Sequence, residues 1–286
     1  MLNNKFFSCL FAIQIAVDMY ANKLYLFLLV FDVISIMLSM RFSPIGHECK
    51  QYKMDARPKG MCVIINNKDF TSRRMSKWNG TDEDVRKLKS FFKQCEFEVK
   101  IFENQIQQDM LKELKQISLS DHRAYDCFVC FILSHGQHGS VFGTDGRPVS
   151  VAEIELFFSA RQCSTLAKKP KLFFIQACQG GAPAQGVNVD KVDHEGSYEC
   201  DVTCEFPVHE HADFLTVFAT TPEHFAYRDP TNGSPFISTL INVMDRCRGW
   251  SLDDIFNKVR DDMDKCVGQK QIPETKSTLT KLVVLT

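Results

Sequence analysis

The chain has 286 residues, 44% of them hydrophobic and 24% charged, which suits one large soluble core with a short appendage. Lys and Arg number 34 against 35 Asp and Glu, so no basic excess points to nucleic acid and no acidic run points to a tail. Twelve cysteines at irregular spacing, several inside apolar runs (Cys62, Cys127, Cys130), argue for a reducing, cytoplasmic setting rather than a secreted disulfide framework.

Residues 1–51 read as a hydrophobic leader and linker. Phe6 to Val17 and Leu24 to Met40 are apolar runs broken by Asp18, Lys23 and Asp32. Three readings stand: a leader, or an extension upstream of a true start at Met40; a membrane anchor, although the second run is at or below the length of a span; a secretory signal, although Met19 and Tyr20 occupy places where a cleavage site wants small residues. No membrane association is expected unless residues 1–40 form an anchor. Arg41, Pro44, Gly46, Pro58 and Gly60 mark a linker.

From residue 61 strands and helices alternate. MCVII (61–65) is a buried strand. Thr81 with Asp84 reads as a capping box opening a helix whose apolar face is Val85, Leu88 and Phe92. FEVKIF (97–102) is a strand, and Ile106, Met110, Leu114 and Ile117 give a second helix. CFVCFIL (127–133) is a strongly apolar strand, and Ser150 with Glu153 caps a third helix. KLFFI (171–175) and FLTVFA (214–219) are two more buried strands. Ser234 followed by Pro235 opens a helix, Ser251 opens the last one, and LTKLVVLT (279–286) reads as a closing strand. Six strands interleaved with helices predict an α/β fold: a six-stranded, mostly parallel sheet with helices on both faces. In such sheets the site lies beyond the carboxyl ends of the strands, so the loops after residues 65, 133, 175 and 219 are where chemistry is expected.

Two of those loops carry it. Ser134-His135-Gly136 follows one strand and Gln176-Ala177-Cys178-Gln179-Gly180 follows another. An imidazole beside a thiol can move the proton that thiolate attack and leaving-group departure require. Flanking glycines let a substrate backbone approach and free N–H groups for an oxyanion. Other candidates are weaker. Cys127 and Cys130 sit at an odd offset in a strand, which puts the thiols on opposite faces. Cys200, Cys204, His194, His209 and His211 lie in a linker-like stretch; no metal or other cofactor is expected.

The segment Gln176-Ala177-Cys178-Gln179-Gly180 resembles the signature of the caspases, the aspartate-specific cysteine proteases. CVIINNKDF (62–70), NGTDEDVRKL (79–88), YRDPTNGSPFIS (227–238) and KQIPETKSTLTK (270–281) also look like caspase pieces, so the resemblance spans residues 52–286. It implies a three-layer caspase-like fold with a large part of about 52–193 and a small part of about 202–286. It implies Cys178 as nucleophile, His135 as its proton partner, and the N–H groups of Gly136 and Cys178 as the oxyanion hole. Gln176 and Arg228 would bind the substrate aspartate, with Phe225 and Tyr227 shaping the adjacent pocket. Maturation would cut the joining loop, after Asp193 or else Asp190 or Asp201. The leader is too short for a helical recruitment domain, so the chain resembles the short-prodomain effector type. Protein substrates with aspartate at the cut, and homodimers or heterodimers with related caspases, would be its partners. The seam is expected at strand 279–286, whose run Leu282-Val283-Val284-Leu285 carries no blocking charge.

One departure stands out. The family places a second aspartate-binding arginine where this chain has Trp78, ahead of Asn79-Gly80. An indole offers one N–H where a guanidinium offers a charged fork, and a lost partner in such a contact costs roughly 2–5 kcal/mol. Two expectations follow: a working aspartate-specific endopeptidase, improved by Trp78→Arg, or a weak or inactive caspase-like regulator that dimerises with an active relative. Were the indole to pack on the surface, Lys77 or Arg74 would take the missing role.

Overall fold

A computed structural model describes residues 50–71, 75–180, 209–265 and 271–286. The chain divides after Cys49, and the described residues belong to the second unit, Lys50–Thr286. In chain order its first half runs β1 (Gly60–Asn66), α1 (Thr81–Gln94), β2 (Glu98–Glu103), α2 (Gln107–Ser118), β3 (Cys127–Leu133), the short strands β4 (Gly136–Gln137), β5 (Ser140–Phe142) and β6 (Pro148–Ser150), and α3 (Val151–Phe157). The second half runs β7 (Lys171–Gln176), β8 (Phe214–Phe218), α4 (Pro235–Arg246), α5 (Leu252–Asp264) and β9 (Glu274–Ser277).

Six strands form one sheet in the order β2-β1-β3-β7-β8-β9. The first five are parallel and β9 is antiparallel to β8. β1, β3 and β7 are buried along their whole length because both sheet faces are covered. Alternate side chains feed two cores. Cys62 and Ile64 join α1, α4 and α5 on one face, while Met61, Val63 and Ile65 join α2 and α3 on the other. The three-layer expectation is met. Cys127 belongs to the first core and Cys130 to the second, as an odd offset in a strand requires.

Three local readings are corrected. The sixth strand is not 279–286 but the polar segment Glu274–Ser277. Leu282 makes only a single parallel bridge to Gln51, and Val283 and Leu285 are buried in the first core. An uncharged apolar run is worth more inside, at about 0.8 kcal/mol per buried CH₂, than at a half-solvated sheet edge. The run expected to carry the dimer seam therefore does not form the sheet edge, which β9 holds. The start of α1 is not a capping box. Gly80 is the N-cap at φ 91°, and the Thr81 hydroxyl turns to the Trp78 carbonyl. Asp84 accepts instead from the backbone N–H of Ser234, at 2.8 and 3.1 Å to its two oxygens. Ser150 stands at the start of α3 without a side-chain cap bond. Ser234 and Ser251 do cap, accepting from the N–H groups of Ile237 and Asp254. The antiparallel sheet β4-β5-β6 has no counterpart in the sequence pattern, because strands of two or three residues carry too little periodicity. Among the described residues no helix is long and apolar enough to cross a membrane.

Candidate active site

The sheet register brings the two loops together. Leu133 at the end of β3 pairs with Gln176 at the end of β7, and the Ser134 N–H donates to the Gln176 carbonyl. His135 and Cys178 thus each lie two residues beyond a matched pair on adjacent parallel strands. Gly136 shows how close the loops run. A Cβ there would lie 2.8 Å from the Ala177 Cβ and 2.8 Å from the Cys178 carbonyl oxygen.

A third loop, leaving β8, packs against Cys178. The Gln179 N–H donates to the His224 carbonyl and the Glu223 N–H to the Gln179 carbonyl, at 3.0 and 2.9 Å. The Ala226 N–H donates to the Cys178 sulfur at 3.4 Å. Gln271 fastens this loop at both ends, donating to the Ala219 carbonyl and accepting from the Tyr227 N–H. Below it, Asp84 holds the turn that follows Arg228. Gly233, at φ 83°, leaves room for that carboxylate, where a Cβ would come within 2.3 Å of Oδ1.

The fourth contributor is the segment after β1. Its Ser76 carbonyl lies 3.0 Å from His135 Nε2. A carbonyl can only accept, so the neutral imidazole carries its proton on Nε2 and leaves Nδ1 free as a base. Phe70 meets the imidazole edge-on at 4.7 Å, and Trp78 stacks on it at 4.6 Å and 22°. The Arg228 guanidinium stands 4.6 Å from the Trp78 ring, a cation–π contact worth on the order of 1–2 kcal/mol when partly desolvated.

These residues enclose an open pocket of about 310 Å³ lined by Trp78, His135, Cys178, Phe225, Ala226, Tyr227 and Arg228. Burial pushes the Cys178 thiol up and the His135 imidazole down, and the Arg228 charge lowers His135 further. Both shifts favour the neutral form of the pair. Burial also brings the Arg228 guanidinium down to about 10, and its Nε and Nη1 have no hydrogen-bond partner among the described residues. Gln176 Nε2 donates to the Tyr227 carbonyl at 3.4 Å, and its Oε1 is unpartnered in the same sense.

The pocket and its walls bring together the catalytic and substrate-binding candidates His135, Gly136, Cys178, Gln176, Phe225, Tyr227 and Arg228, with Trp78 beside them. The chain also matches the family model described as Caspase domain over residues 59–284. The chain is a member of the caspase family. It is 35% identical over 244 residues to Caspase-7 of Gallus gallus, covering 81% of this chain and 78% of that one. It is 39% identical over 195 residues to Caspase-3 of Mesocricetus auratus, covering 68% of each. With Caspase-8 of Mus musculus it shares 36% over 253 residues, 81% of this chain and 52% of the longer relative. Caspase membership makes it a cysteine-type endopeptidase by class.

Within this caspase chain, Trp78 is not a surface residue. It is 3% exposed and belongs to the second core. Lys77 pairs with Asp69 at 2.8 Å, its side chain 60% exposed, so it does not fill a missing arginine's place. Arg74, the processing candidates Asp190, Asp193 and Asp201, and Cys200, Cys204 and His194 lie outside the described residues. The sequence does not point to Ser76, which acts through its carbonyl and leaves no side-chain signal. Gln271 and Asp84 stand inside caspase-like segments, but their partners are 44 and 150 residues away.

Proposed function

We propose that this chain cleaves proteins after aspartate in apoptosis-type proteolytic signalling in the cytoplasm. The observation that carries the reading is a thiol and an imidazole, its Nε2 held by a carbonyl, lining one pocket in which Arg228 is the cation among the described residues. In the first step Nδ1 takes the Cys178 proton and the sulfur attacks the scissile carbonyl carbon. The oxygen gains the negative charge facing the N–H groups of Gly136 and Cys178. The imidazolium then gives its proton to the departing amine, leaving a thioester that water hydrolyses with His135 again as base. Arg228, half-buried with two nitrogens unpartnered among the described residues, takes the aspartate carboxylate, which offsets its desolvation. Gln176 steadies that wall, and Phe225 and Tyr227 form the neighbouring one.

Maturation is proposed to cut after Asp193, with Asp190 and Asp201 as second choices; N-terminal sequencing of the small fragment decides among starts at His194, Lys191 and Val202. The β9 edge is the proposed surface for pairing with a second caspase chain. A second reading, a weak or inactive regulator, is favoured by Trp78 in place of an arginine. A panel of fluorogenic peptides varied at the residue before the cut tests both readings, run on the chain and on Cys178→Ala. Cleavage after aspartate that vanishes in Cys178→Ala supports the protease. Absence of turnover on every peptide, with cleavage restored only by an added active relative, supports the regulator.

A further inference from the structure

The residue that departs from the family pattern is also the one that touches both halves of the site. Trp78 stacks on the imidazole of His135 at 4.6 Å and 22°, and the Arg228 guanidinium stands 4.6 Å from the same ring. The indole is held firmly. It is 3% exposed within the core formed with α2 and α3, and the Trp78 main-chain N–H donates to the Lys68 carbonyl at 2.8 Å. Its own carbonyl receives the Thr81 hydroxyl. A buried ring in that position has few rotamers to choose from and transmits position rather than yielding.

We propose that Trp78 is a positioning residue that ties the proton-transferring imidazole to the pocket for the substrate side chain: His135 and Arg228 rest on one rigid aromatic body, so a carboxylate taken by Arg228 also sets His135 for catalysis. This rests on the protease reading above. The physical basis is charge and geometry together. Among the described residues, the groups around His135 are the Ser76 carbonyl, the rings of Phe70 and Trp78, and Arg228, with the Cys178 thiol lining the same pocket. Among the described residues Arg228 is the cation that bears on it, and Asp84 acts on Arg228 in turn. With the pocket empty, Arg228 opposes a second positive charge on the imidazole. A substrate carboxylate on Arg228 cancels that opposition as the imidazolium has to form. The indole keeps the ring plane fixed, so the change in field acts on an imidazole whose Nε2 the Ser76 carbonyl already holds. A neutral side chain in the pocket leaves the opposition in place. Selection for acidic substrates is thereby made in the rate of proton transfer as well as in binding.

The test uses the full chain after cleavage of its joining loop, with Trp78→Phe, Trp78→Leu and Trp78→Arg, on paired peptides carrying aspartate or asparagine before the cut. Trp78→Leu is expected to lower kcat on the aspartate peptide by about tenfold or more while KM changes less than about threefold, and Trp78→Phe to recover most of the loss. An unchanged kcat in Trp78→Leu, or a loss confined to KM, overturns the proposal. So does a tenfold gain in Trp78→Arg, which would mean that the position wants a second cation. Should Trp78→Leu fail to fold, a titration that keeps Trp78 in place decides the matter. The His135 ring resonances are followed in Cys178→Ala with a peptide ending in aspartate amide or in asparagine. The aspartate peptide is expected to move the imidazole midpoint up by roughly 0.5 or more; equal midpoints with the two peptides overturn the proposal. Failure of the protease reading looks different: no peptide is cleaved by the unaltered chain.

Discussion

Gly136 offers the most direct perturbation of the catalytic pair that leaves both reacting groups in place. In Gly136→Ala the new methyl would lie 2.8 Å from the Ala177 Cβ, 2.8 Å from the Cys178 carbonyl oxygen and 2.8 Å from the Ser140 carbonyl oxygen. Ordinary carbon contacts are about 3.5–4.0 Å, so the loops carrying His135 and Cys178 must part by roughly 0.7 Å or more. Two of the three obstacles are backbone atoms, so no side-chain rotation relieves the clash. Overpacking of this kind costs about 1–3 kcal/mol of stability. Misplacing reacting groups by about an ångström costs on the order of 10²-fold in rate. The expected result is a drop in Tm of several degrees and a fall in kcat/KM of about 10²-fold, measured by calorimetry and by turnover of an aspartyl peptide. Gly139→Ala is the control. It lies in the adjoining β4–β5 turn at φ 66°, with nothing among the described residues within 4 Å of its Cβ position. It carries the backbone strain without the clash, so it should lose a little stability and keep its kcat. If Gly136→Ala keeps its activity, or if Gly139→Ala loses as much, the argument that this contact sets the Cys178–His135 spacing is refuted.

Three further outcomes are expected. Burial raises Cys178 and lowers His135, so alkylation of Cys178 by iodoacetamide without substrate should be slow at pH 7 and rise above the ordinary thiol range; a rate already at its plateau near pH 6 would show a preformed ion pair instead. Burial lifts Asp84 to about 7 against an ordinary 3.8, so the ionised form is disfavoured in the fold. Its contribution to stability is fully present below pH 3.8 and is lost as pH rises through 7. Chemical unfolding of Asp84→Asn should therefore show a smaller loss of stability between pH 5 and 8 than the unaltered chain, whereas Asp84→Ala, which strands the Ser234 N–H, should be less stable at every pH; identical slopes in the first two would contradict the assignment. Lys77→Ala removes an exposed ion pair to Asp69 and should leave kcat/KM within about twofold, because such pairs contribute little; a collapse of activity would place Lys77 in the pocket after all.

What the sequence determined by itself was carried by local pattern. Five of the six sheet strands follow from short runs of β-branched and aromatic residues, as in Cys127–Leu133. The starts of α4 and α5 follow from Ser234-Pro235 and Ser251. The thiol and imidazole are legible because each follows an apolar strand and sits beside glycine. Tertiary structure decided what depends on competition between distant segments. Both 279–286 and 274–277 could have completed the sheet. Burial of Val283 and Leu285 in the core settled it, because a polar strand loses less at a solvated edge than an apolar one does. Asp84 has the spacing of a cap, but Ser234, far along the chain, supplies a better donor. Trp78 has the place of a missing arginine. Its contacts with His135 and Arg228 come from three loops that meet only when the parallel strands are in register, and no spacing within one loop encodes that meeting.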